Sequence, residues 1–292
     1  MKLSASCMAC IVQRQEQASR ALESEPARAD YLKKVMELIC SAGETESAPV
    51  VTGRISRLHE SFFGQPYCFR DLKRKYNQWM LKQEPALAAK IDASPDPLLA
   101  ALNYSRVGNY IDFGAMGEVS DEKLTELLGR AGQETLDPAE YLAFREDLSR
   151  AARLVLCTDN CGEIVLDKLL LGVIARQFPQ LDITVIVRGG EVLNDATMED
   201  AEEIGLLDKF KVLGNGNAIA GTHLPALSPE AAEAVRRADV LIAKGQGNFE
   251  SLHGCGLNFY YLFLCKCDWF TRRFGLERFQ GVFINEKNQK IQ

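Results

Sequence analysis

Beyond residue 150 the sequence alternates short apolar runs with amphipathic stretches, and this alternation restricts the fold more than any other feature. It is typical of βαβ units whose strands form a parallel sheet. Ser228-Pro229 predicts an N-cap followed by a first-turn proline, and Thr197 with Asp200 approximates a capping box. The sequence therefore predicts an α/β fold, with strands at residues 153–157, 183–187, 211–213, 240–243 and 260–265 and helices at 163–177, 197–204 and 229–238.

The sequence before residue 150 has a different pattern. From residue 11 its periodicity is helical, and no strand-like run of any length occurs. The helical pattern is interrupted at Pro85, Pro95, Pro97 and a polar stretch at residues 41–49. Asp137-Pro138 predicts the start of a helix that runs towards Ala152. We therefore expect a helical N-terminal domain, residues 1–150, joined to a doubly wound α/β domain, residues 151–292.

The composition excludes some classes of partner. The 292 residues carry a net charge of −6, which does not provide the basic surface that generic nucleic-acid or anionic-membrane binding requires. The longest apolar stretches, residues 169–175 and 260–265, are far shorter than the ~20 residues of a membrane span. The first residues contain no apolar segment followed by a small-residue cleavage site. We expect a soluble, cytoplasmic protein with no nucleic-acid or membrane partner.

The nine cysteines indicate free thiols, because a reducing compartment keeps cysteines unpaired and the count is odd. One pair has a recognisable spacing, Cys7-x-x-Cys10. It would supply half of a tetrahedral zinc site, for which Cys265-x-Cys267 is the nearest second half, at an atypical spacing. Plain thiols are favoured over this zinc site, and a redox pair is a further alternative.

Unusual polar residues follow four of the five predicted strands. Because ligands bind outside the carboxyl ends of parallel strands, we expect these residues to form one site. They are Asp159, Asn160 and Glu163 after the first strand, Arg188 and Asp195 after the second, Lys244, Gly245, Gln246, Gly247 and Asn248 after the fourth, and Lys266 after the fifth.

The chemical types in this set are those of a phosphate-ester site. Two carboxylates and an amide oxygen, from Asp159, Asp195 and Asn160, suit one divalent cation such as Mg²⁺ or Mn²⁺. Lys244 and Lys266 suit a phosphate group as compact cations, and the glycines let backbone N–H groups approach an anion. The expected reaction is hydrolysis of a phosphate ester by a metal-activated water, with Asp159 and Asp195 as the catalytic residues.

Other phosphate and nucleotide sites lack their motifs here. The sequence contains no G-x-x-x-x-G-K-[ST] and no D-x-D-x-T, so neither a P-loop ATPase nor an aspartyl-phosphate mechanism is expected. Gly245-x-Gly247 resembles the start of a dinucleotide fingerprint, but Glu250 stands where the third glycine would be. Binding of NAD is therefore not expected.

Five segments together resemble a known family. They are CMAC at residues 7–10, GNYIDFG at 108–114, DNCGEIVLDKLLL at 159–171, LNDATMEDA at 193–201 and AKGQGNFESL at 243–252. The sequence is similar to the metal-dependent damage-control phosphatases (ARMT-like), long catalogued as a domain of unknown function. The CMAC segment resembles the CxxC of the prokaryotic-type subgroup. The resemblance extends from residue 7 to about residue 268.

The resemblance implies a helical N-terminal domain on a mostly parallel three-layer α/β/α sandwich. It implies one divalent metal, Mn²⁺, Co²⁺, Ni²⁺ or Mg²⁺, on Asp159, Asn160 and Asp195, and hydrolysis of sugar phosphates or damaged phosphometabolites. The segment after Lys244 corresponds to a substrate-contacting loop, and Lys266 to a phosphate-binding lysine. Cys161 stands where alanine is common, and the arginine–threonine pair that precedes the late lysine in the eukaryotic subgroup is missing.

Several of these residues also suit structural roles. Asp159 and Asn160 can cap the following helix, and Asp195 can form a turn, although their placement together favours the metal interpretation. Asn109 and Asp112, in the GNYIDFG segment, suit either the roof of a pocket or helix capping.

The remaining site residues have similar alternatives. Lys244 and Lys266 also suit solvated ends of strands, Arg188 a surface charge, and Glu163 the first turn of any helix. Two other functions stay open. One is an S-adenosylmethionine-dependent carboxyl methyltransferase, as described for one branch of the family. The other is a sugar-phosphate-binding protein without catalytic activity.

Overall fold

The computed structural model describes residues 1–64, 69–112 and 119–288, except for the side chain of Gln133. Phe113 and Gly114, the end of the GNYIDFG segment, lie outside the described residues. The helices before residue 150 are α1 (Ala5–Ser19), α2 (Glu25–Cys40), α3 (Ala48–Phe63), α4 (Arg70–Asp92), α5 (Pro97–Gly108), α6 (Asp121–Arg130) and α7 (Pro138–Arg150). The later elements are β1 (Arg153–Cys157), α8 (Glu163–Gln177), β2 (Asp182–Val187), α9 (Met198–Glu203), β3 (Lys211–Gly214), α10 (Pro229–Arg237), β4 (Val240–Lys244), α11 (Gly245–Leu252), β5 (Phe259–Leu264), α12 (Asp268–Phe274) and β6 (Gly281–Asn285).

Side-chain caps account for the starts of several helices. Asp96 and Asp137 accept hydrogen bonds from first-turn backbone N–H groups of α5 and α7, and each helix begins with proline. The interruption expected at Pro85 is wrong, because α4 continues through it. Met80 and Leu87, which precede and follow this proline in α4, are buried in an apolar core, and apolar burial of this kind stabilises the helix against the ~3 kcal/mol cost of an internal proline.

The six strands form one sheet in the order β3-β2-β1-β4-β5-β6. The first five strands are parallel, as expected, and β6 pairs antiparallel with β5. The sequence analysis missed β6, a five-residue strand at the edge of the sheet. It also described the segment after Lys244 as a loop, whereas these residues form the helix α11.

Helices cover both faces of the sheet. On one face the alternate residues Leu154 and Leu156 of β1 share an apolar core with α4, α5, α7 and α8. On the other face Val155 and Cys157 pack with α10, α11 and α12. This arrangement confirms the predicted α/β/α sandwich. Residues on both sides of position 150 belong to the first core, whereas α1, α2 and α3 have a core of their own.

The order of the strands places a ligand site. From β1 the chain proceeds outwards to β2 and β3, and it then returns to form β4 on the other side of β1. The switch point therefore lies at the carboxyl ends of β1 and β4, where open α/β sheets bind their ligands. We call residues 158–162, after β1, loop 1, and residues 188–197, after β2, loop 2. Among the described helices, none is long and apolar enough to cross a membrane.

Candidate functional site

Loop 1 and loop 2 lie against each other at the carboxyl edge of the sheet. The backbone N–H of Ala196 donates to the carbonyl oxygen of Asp159 over 2.7 Å. Asn160 and Asp195 form an isolated antiparallel bridge between the two loops. The structure therefore brings together all three residues that the sequence analysis assigned to the metal.

Loop 2 reaches this position through a strained backbone. Leu193 has a φ of 47°, in the left-handed region that a bulky side chain disfavours. The next residue, Asn194, donates through Nδ2 to the carbonyl oxygen of Ile111 over 2.9 Å and to Asn160 Oδ1 over 3.1 Å. Strain of this kind persists only where surrounding contacts hold it, and it clusters at functional sites. The strain at Leu193 thus marks the approach to Asp195 as a constrained segment.

Arg188 joins the two aspartates. Its Nε lies 2.6 Å from Asp195 Oδ2 and its Nη2 lies 3.5 Å from Asp159 Oδ1. Its Nη1 also donates to Asn248 Oδ1 over 3.4 Å. The Arg188 side chain is 0% exposed, so it is not a surface charge. The guanidinium holds both carboxylates from one side and fixes their relative orientation.

Burial changes the ionisation of the two aspartates. Burial raises the pKa of Asp159 well above its ordinary value, and the negative charges of Asp195 and Glu163 raise it further. Burial also raises the pKa of Asp195 to about 6, although Arg188 acts in the opposite direction. Both carboxylates therefore lie in a place where an added positive charge would be strongly favoured.

Gly245 is required by the position of Asp159. It has a φ of +80°, and a Cβ atom on it would lie 1.9 Å from Asp159 Oδ2. Gly247 is confined in the same way, because its Cβ would lie 2.2 Å from the carbonyl oxygen of Ala220. Protein oxygens thus occupy the space beside both glycines. Contact of their backbone with a bound anion stays a prediction.

Glu163 orients the amide of Asn160. Its Oε2 accepts hydrogen bonds from Asn160 Nδ2 over 2.9 Å and from Asn109 Nδ2 over 3.2 Å. Asn109 Nδ2 also donates to Asp159 Oδ2 over 2.9 Å, and its Oδ1 accepts from the backbone of Leu264. Glu163 and Asn109 are fully buried, so both are structural parts of the site and neither is only a helix cap.

Lys244 lies behind Glu163. Its ammonium group is 2.9 Å from Glu163 Oε1, 2.6 Å from Asp167 Oδ1 and 2.7 Å from Ser105 Oγ. The side chain is 0% exposed, so it is not the solvated end of a strand. Two carboxylates and a hydroxyl group already fill its coordination. Phosphate contact by Lys244 stays a prediction that this arrangement does not favour.

Lys266 also has a carboxylate partner, and its side chain is 0% exposed, so it is not the solvated end of a strand. Its Nζ lies 2.6 Å from Asp112 Oδ2, and the Asp112 side chain is 15% exposed. The charge of Lys266 lowers the pKa of Asp159 and the charge of Asp112 raises it, so both residues interact electrostatically with Asp159. Phosphate contact by Lys266 stays a prediction, in which a phosphate group would compete with Asp112 for the ammonium group.

The other predicted residues of α11 differ in their surroundings. Asn248 is fully buried, donates to the carbonyl oxygen of Thr158 over 2.9 Å and accepts from Thr222 Oγ1 over 2.8 Å. These bonds connect α11 with loop 1. Gln246 Nε2 is buried and has no hydrogen-bond partner among the described residues. Substrate contact by either residue stays a prediction.

Several residues of the site were missed by the sequence analysis. They are Asn77, Ser105, Asp167 and Thr222. Asn77, Ser105 and Thr222 come from distant parts of the chain, so only the packed fold brings them to the site, whereas Asp167 lies one helical turn after Glu163 in the 159–171 segment.

The site as a whole carries excess negative charge. Its five carboxylates and three cations leave two uncompensated negative charges when all are ionised, which matches one divalent cation. The carboxylates are Asp112, Asp159, Glu163, Asp167 and Asp195, and the cations are Arg188, Lys244 and Lys266.

The predicted ligands fit an oxygen-ligated metal. Two carboxylates and the amide oxygen of Asn160 are hard donors that suit Mg²⁺ or Mn²⁺. The described residues contain no cluster of three or more His, Cys, Asp or Glu side chains arranged for a metal. The predicted set is not such a cluster, because one of its three donors is an amide. The metal site therefore stays a prediction supported by donor type and charge.

The two patterned cysteines lie away from this site, in the first turns of α1. Cys7 Sγ is 4.0 Å from Glu250 Oε1, and burial raises the pKa of the Cys7 thiol to about 11. Of the two cysteines considered as the second half of a zinc site, Cys265 is buried in an apolar core. Cys267 interacts electrostatically with Cys7 and raises its pKa further. Zinc on Cys7 and Cys10 stays a prediction.

A family model, the damage-control phosphatase ARMT1-like domain, matches residues 3–281 of the chain. The chain belongs to this family. It is 29% identical to a protein of Archaeoglobus fulgidus named damage-control phosphatase, over 94% of this chain and 96% of that protein. It is also 29% identical to a damage-control phosphatase of Pyrococcus horikoshii, over 99% of each chain.

The fold is that of a solved relative. The crystal structure of a DUF89 family protein from Pyrococcus horikoshii matches with a TM-score of 0.81 and 27% identity. The match covers 98% of this chain and 99% of that chain. Sequence and fold therefore both place the chain in the damage-control phosphatase ARMT1-like family.

Proposed function

We propose that this chain is a metal-dependent phosphatase that hydrolyses small phosphomonoesters, such as sugar phosphates or damaged phosphometabolites. Membership of the damage-control phosphatase ARMT1-like family, and relatives that carry the phosphatase name, support a phosphatase role. The substrate partner is then a small phosphorylated metabolite, and the cytoplasm is the proposed location.

One observation carries the metal-dependent part of the proposal. Loop 1 and loop 2 bring Asp159 and Asp195 together beside one guanidinium, inside a buried site that would carry two uncompensated negative charges with all its carboxylates ionised. Burying like charges without compensation is costly. A divalent cation held by Asp159, Asn160 and Asp195 would remove this cost.

The chain's own residues prepare the site. Arg188 forms ion pairs with both Asp159 and Asp195. Glu163 accepts a hydrogen bond from Asn160 Nδ2, so that Asn160 Oδ1 lies on the side of loop 2, where Asn194 Nδ2 donates to it. Lys266 supplies a positive charge next to Asp159 for the phosphate group. The bound divalent cation would supply Lewis-acid polarisation of the phosphoryl oxygens and an activated water.

The two other functions have less support. No observation on the described residues favours an S-adenosylmethionine-dependent carboxyl methyltransferase, and the relatives' names do not mention one. A non-catalytic sugar-phosphate-binding protein would bind a phosphate ester without turnover. A phosphate-release assay therefore distinguishes it from a phosphatase.

The test is phosphate release from p-nitrophenyl phosphate with Mn²⁺, Co²⁺, Ni²⁺ or Mg²⁺ and after metal removal with EDTA. We expect metal-dependent turnover by the wild type and a loss of at least about 100-fold in Asp159→Ala and in Asp195→Ala. Asp182→Ala is the matched control, because Asp182 is an exposed aspartate at the start of β2. Retained turnover in both site variants would refute the mechanism.

The substrate class needs a second measurement. The same assay on a panel of sugar phosphates and cofactor phosphates, with each metal, would rank the substrates by kcat/KM. Hydrolysis of none of them by the wild type, with measurable binding, would favour the non-catalytic alternative.

A further inference from the structure

Asn77, in the middle of α4, contacts the segments that carry the predicted metal ligands. Its side chain is 0% exposed. Its Oδ1 accepts a hydrogen bond from the backbone N–H of Gly162 over 2.7 Å. Its Nδ2 donates to Asp200 Oδ1 over 2.8 Å and to Glu203 Oε2 over 3.1 Å. One side chain from the N-terminal helices therefore connects the end of loop 1 with the helix that follows loop 2.

The contact with Gly162 bears directly on loop 1. Gly162 is three residues after Asp159 and two after Asn160, and it has a φ of +69° at the start of α8. A Cβ on Gly162 would lie 3.2 Å from the backbone oxygen of Tyr76, so α4 packs closely against this turn. Asn77 satisfies the Gly162 N–H at this point and thereby fixes the turn that presents the two predicted ligands.

The contact with Asp200 bears in the same way on loop 2. Asp200 Oδ2 accepts from the backbone N–H and from the hydroxyl group of Thr197, each over 2.8 Å. This capping box ends loop 2 two residues after Asp195. Lys73, one turn earlier in α4, lies 2.7 Å from the same carboxylate. The carboxylate that caps α9 is therefore held from α4 by two side chains.

We propose that Asn77 is a positioning residue for the predicted metal centre, which holds loop 1 and loop 2 at the spacing that lets Asp159, Asn160 and Asp195 share one ion. This inference rests on the proposed metal-dependent function. It gives the N-terminal helices a direct part in forming the centre. A residue that acts only through packing would stabilise the fold without changing the affinity for the metal.

The test is the dissociation constant for Mn²⁺, measured by isothermal titration calorimetry on the full chain. Asn77→Leu keeps the branched shape of the side chain and removes both hydrogen-bonding arms, and we expect a ten- to hundredfold higher Kd, the usual effect of losing a residue that orients ligands. Gln78→Ala is the matched control. Gln78 is the next residue of α4 and contacts Glu203 from an exposed position over 3.4 Å. Its Kd should stay within about twofold of the wild-type value.

A second variant covers the case in which Asn77→Leu does not fold. Asn77→Asp keeps the acceptor for the Gly162 N–H but loses the donor to Asp200, and the nearby Lys73 ammonium limits the repulsion between the carboxylates. We expect about a tenfold higher Kd for this variant. Hydrogen exchange of the metal-free chain gives an independent readout. Amides at residues 160–165 and 195–201 should exchange faster in both Asn77 variants and not in Gln78→Ala.

The outcomes separate the inference from the proposed function. A wild-type Kd in folded Asn77→Asp or Asn77→Leu, with only the melting temperature lowered, would overturn the inference and leave the proposed function standing. Absence of Mn²⁺ binding by the wild type would refute the proposed function and the inference together. A raised Kd in the Asn77 variants, with a normal Kd in Gln78→Ala, would support the inference.

Discussion

Substituting Gly245 by alanine should disable the site while leaving the fold in place. Gly245 has a φ of +80°, and its substituent would lie 1.9 Å from Oδ2 and 2.2 Å from Cγ of Asp159. Neither the backbone of α11 nor the end of β4 has room to shift, because Lys244 and Phe249 on either side are buried. The Asp159 carboxylate must therefore move.

The size of the effect follows from these distances. Ordinary contact with a Cβ begins at 3.4 Å, so the carboxylate oxygen must retreat by about 1.5 Å. A misplacement of about 1 Å in a catalytic group costs roughly 100-fold in rate. The left-handed backbone adds ~1–2 kcal/mol of strain for alanine, which corresponds to a fall of about 2–8 °C in Tm at 2–4 °C per kcal/mol.

Gly256 provides a control that separates the effect of backbone strain from the effect of displacing Asp159. Gly256 has a φ of +76° and nothing within 4 Å of its Cβ position, so Gly256→Ala carries the backbone strain alone. Gly245→Ala should lower Tm at least as much as Gly256→Ala, because it adds the displacement of Asp159 to the backbone strain, and only Gly245→Ala should lose phosphatase turnover and Mn²⁺ binding. Equal turnover in the two variants, with Gly245→Ala folded, would refute the argument that Gly245 makes room for Asp159.

Two further predictions concern buried charges. Lys244→Met should lower the free energy of unfolding by about 3–5 kcal/mol in urea denaturation, because Glu163 and Asp167 would lose their buried cation; a loss below about 1 kcal/mol would contradict this role. For Glu250, burial raises the carboxyl pKa from 4.5 to about 7, so the folded chain holds this proton more tightly than the unfolded chain. The stability that results is complete below pH 4.5 and is lost as the pH rises through 7. Glu250→Gln should therefore gain in Tm relative to the wild type between pH 4.5 and 7, and a constant difference across that range would contradict the pKa shift.

The α/β part of the fold was predictable from the sequence because its signals are local. Apolar runs such as those of β1 and β4 are buried on both faces, and caps such as Ser228 and Thr197 mark the following helices. β6 was missed because it lies at the edge of the sheet and pairs antiparallel with the strand before it, so it does not continue the parallel βαβ pattern. Pro85 was misread because tertiary packing on α4 outweighed a local rule.

The part of the candidate site that could be predicted consists of residues placed directly after parallel strands. Asp159 and Asp195 were identified because parallel strands bring their carboxyl ends to one edge. Lys244 was assigned to a phosphate group from the same rule, although its side chain turns away to Asp167 and Ser105. The direction of a side chain depends on the partners that packing provides, and position along a strand does not specify it.

The amino-acid sequence by itself determined which oxygen donors follow which strands, since hydrophobic periodicity and capping act over a few residues. Only the tertiary structure decided how those donors are held. Asn77 comes from a helix that is remote in the chain, and it reaches loop 1 because α4 packs on the sheet. Buried amides must find hydrogen-bond partners wherever the fold places them, and that requirement leaves no trace in the local sequence.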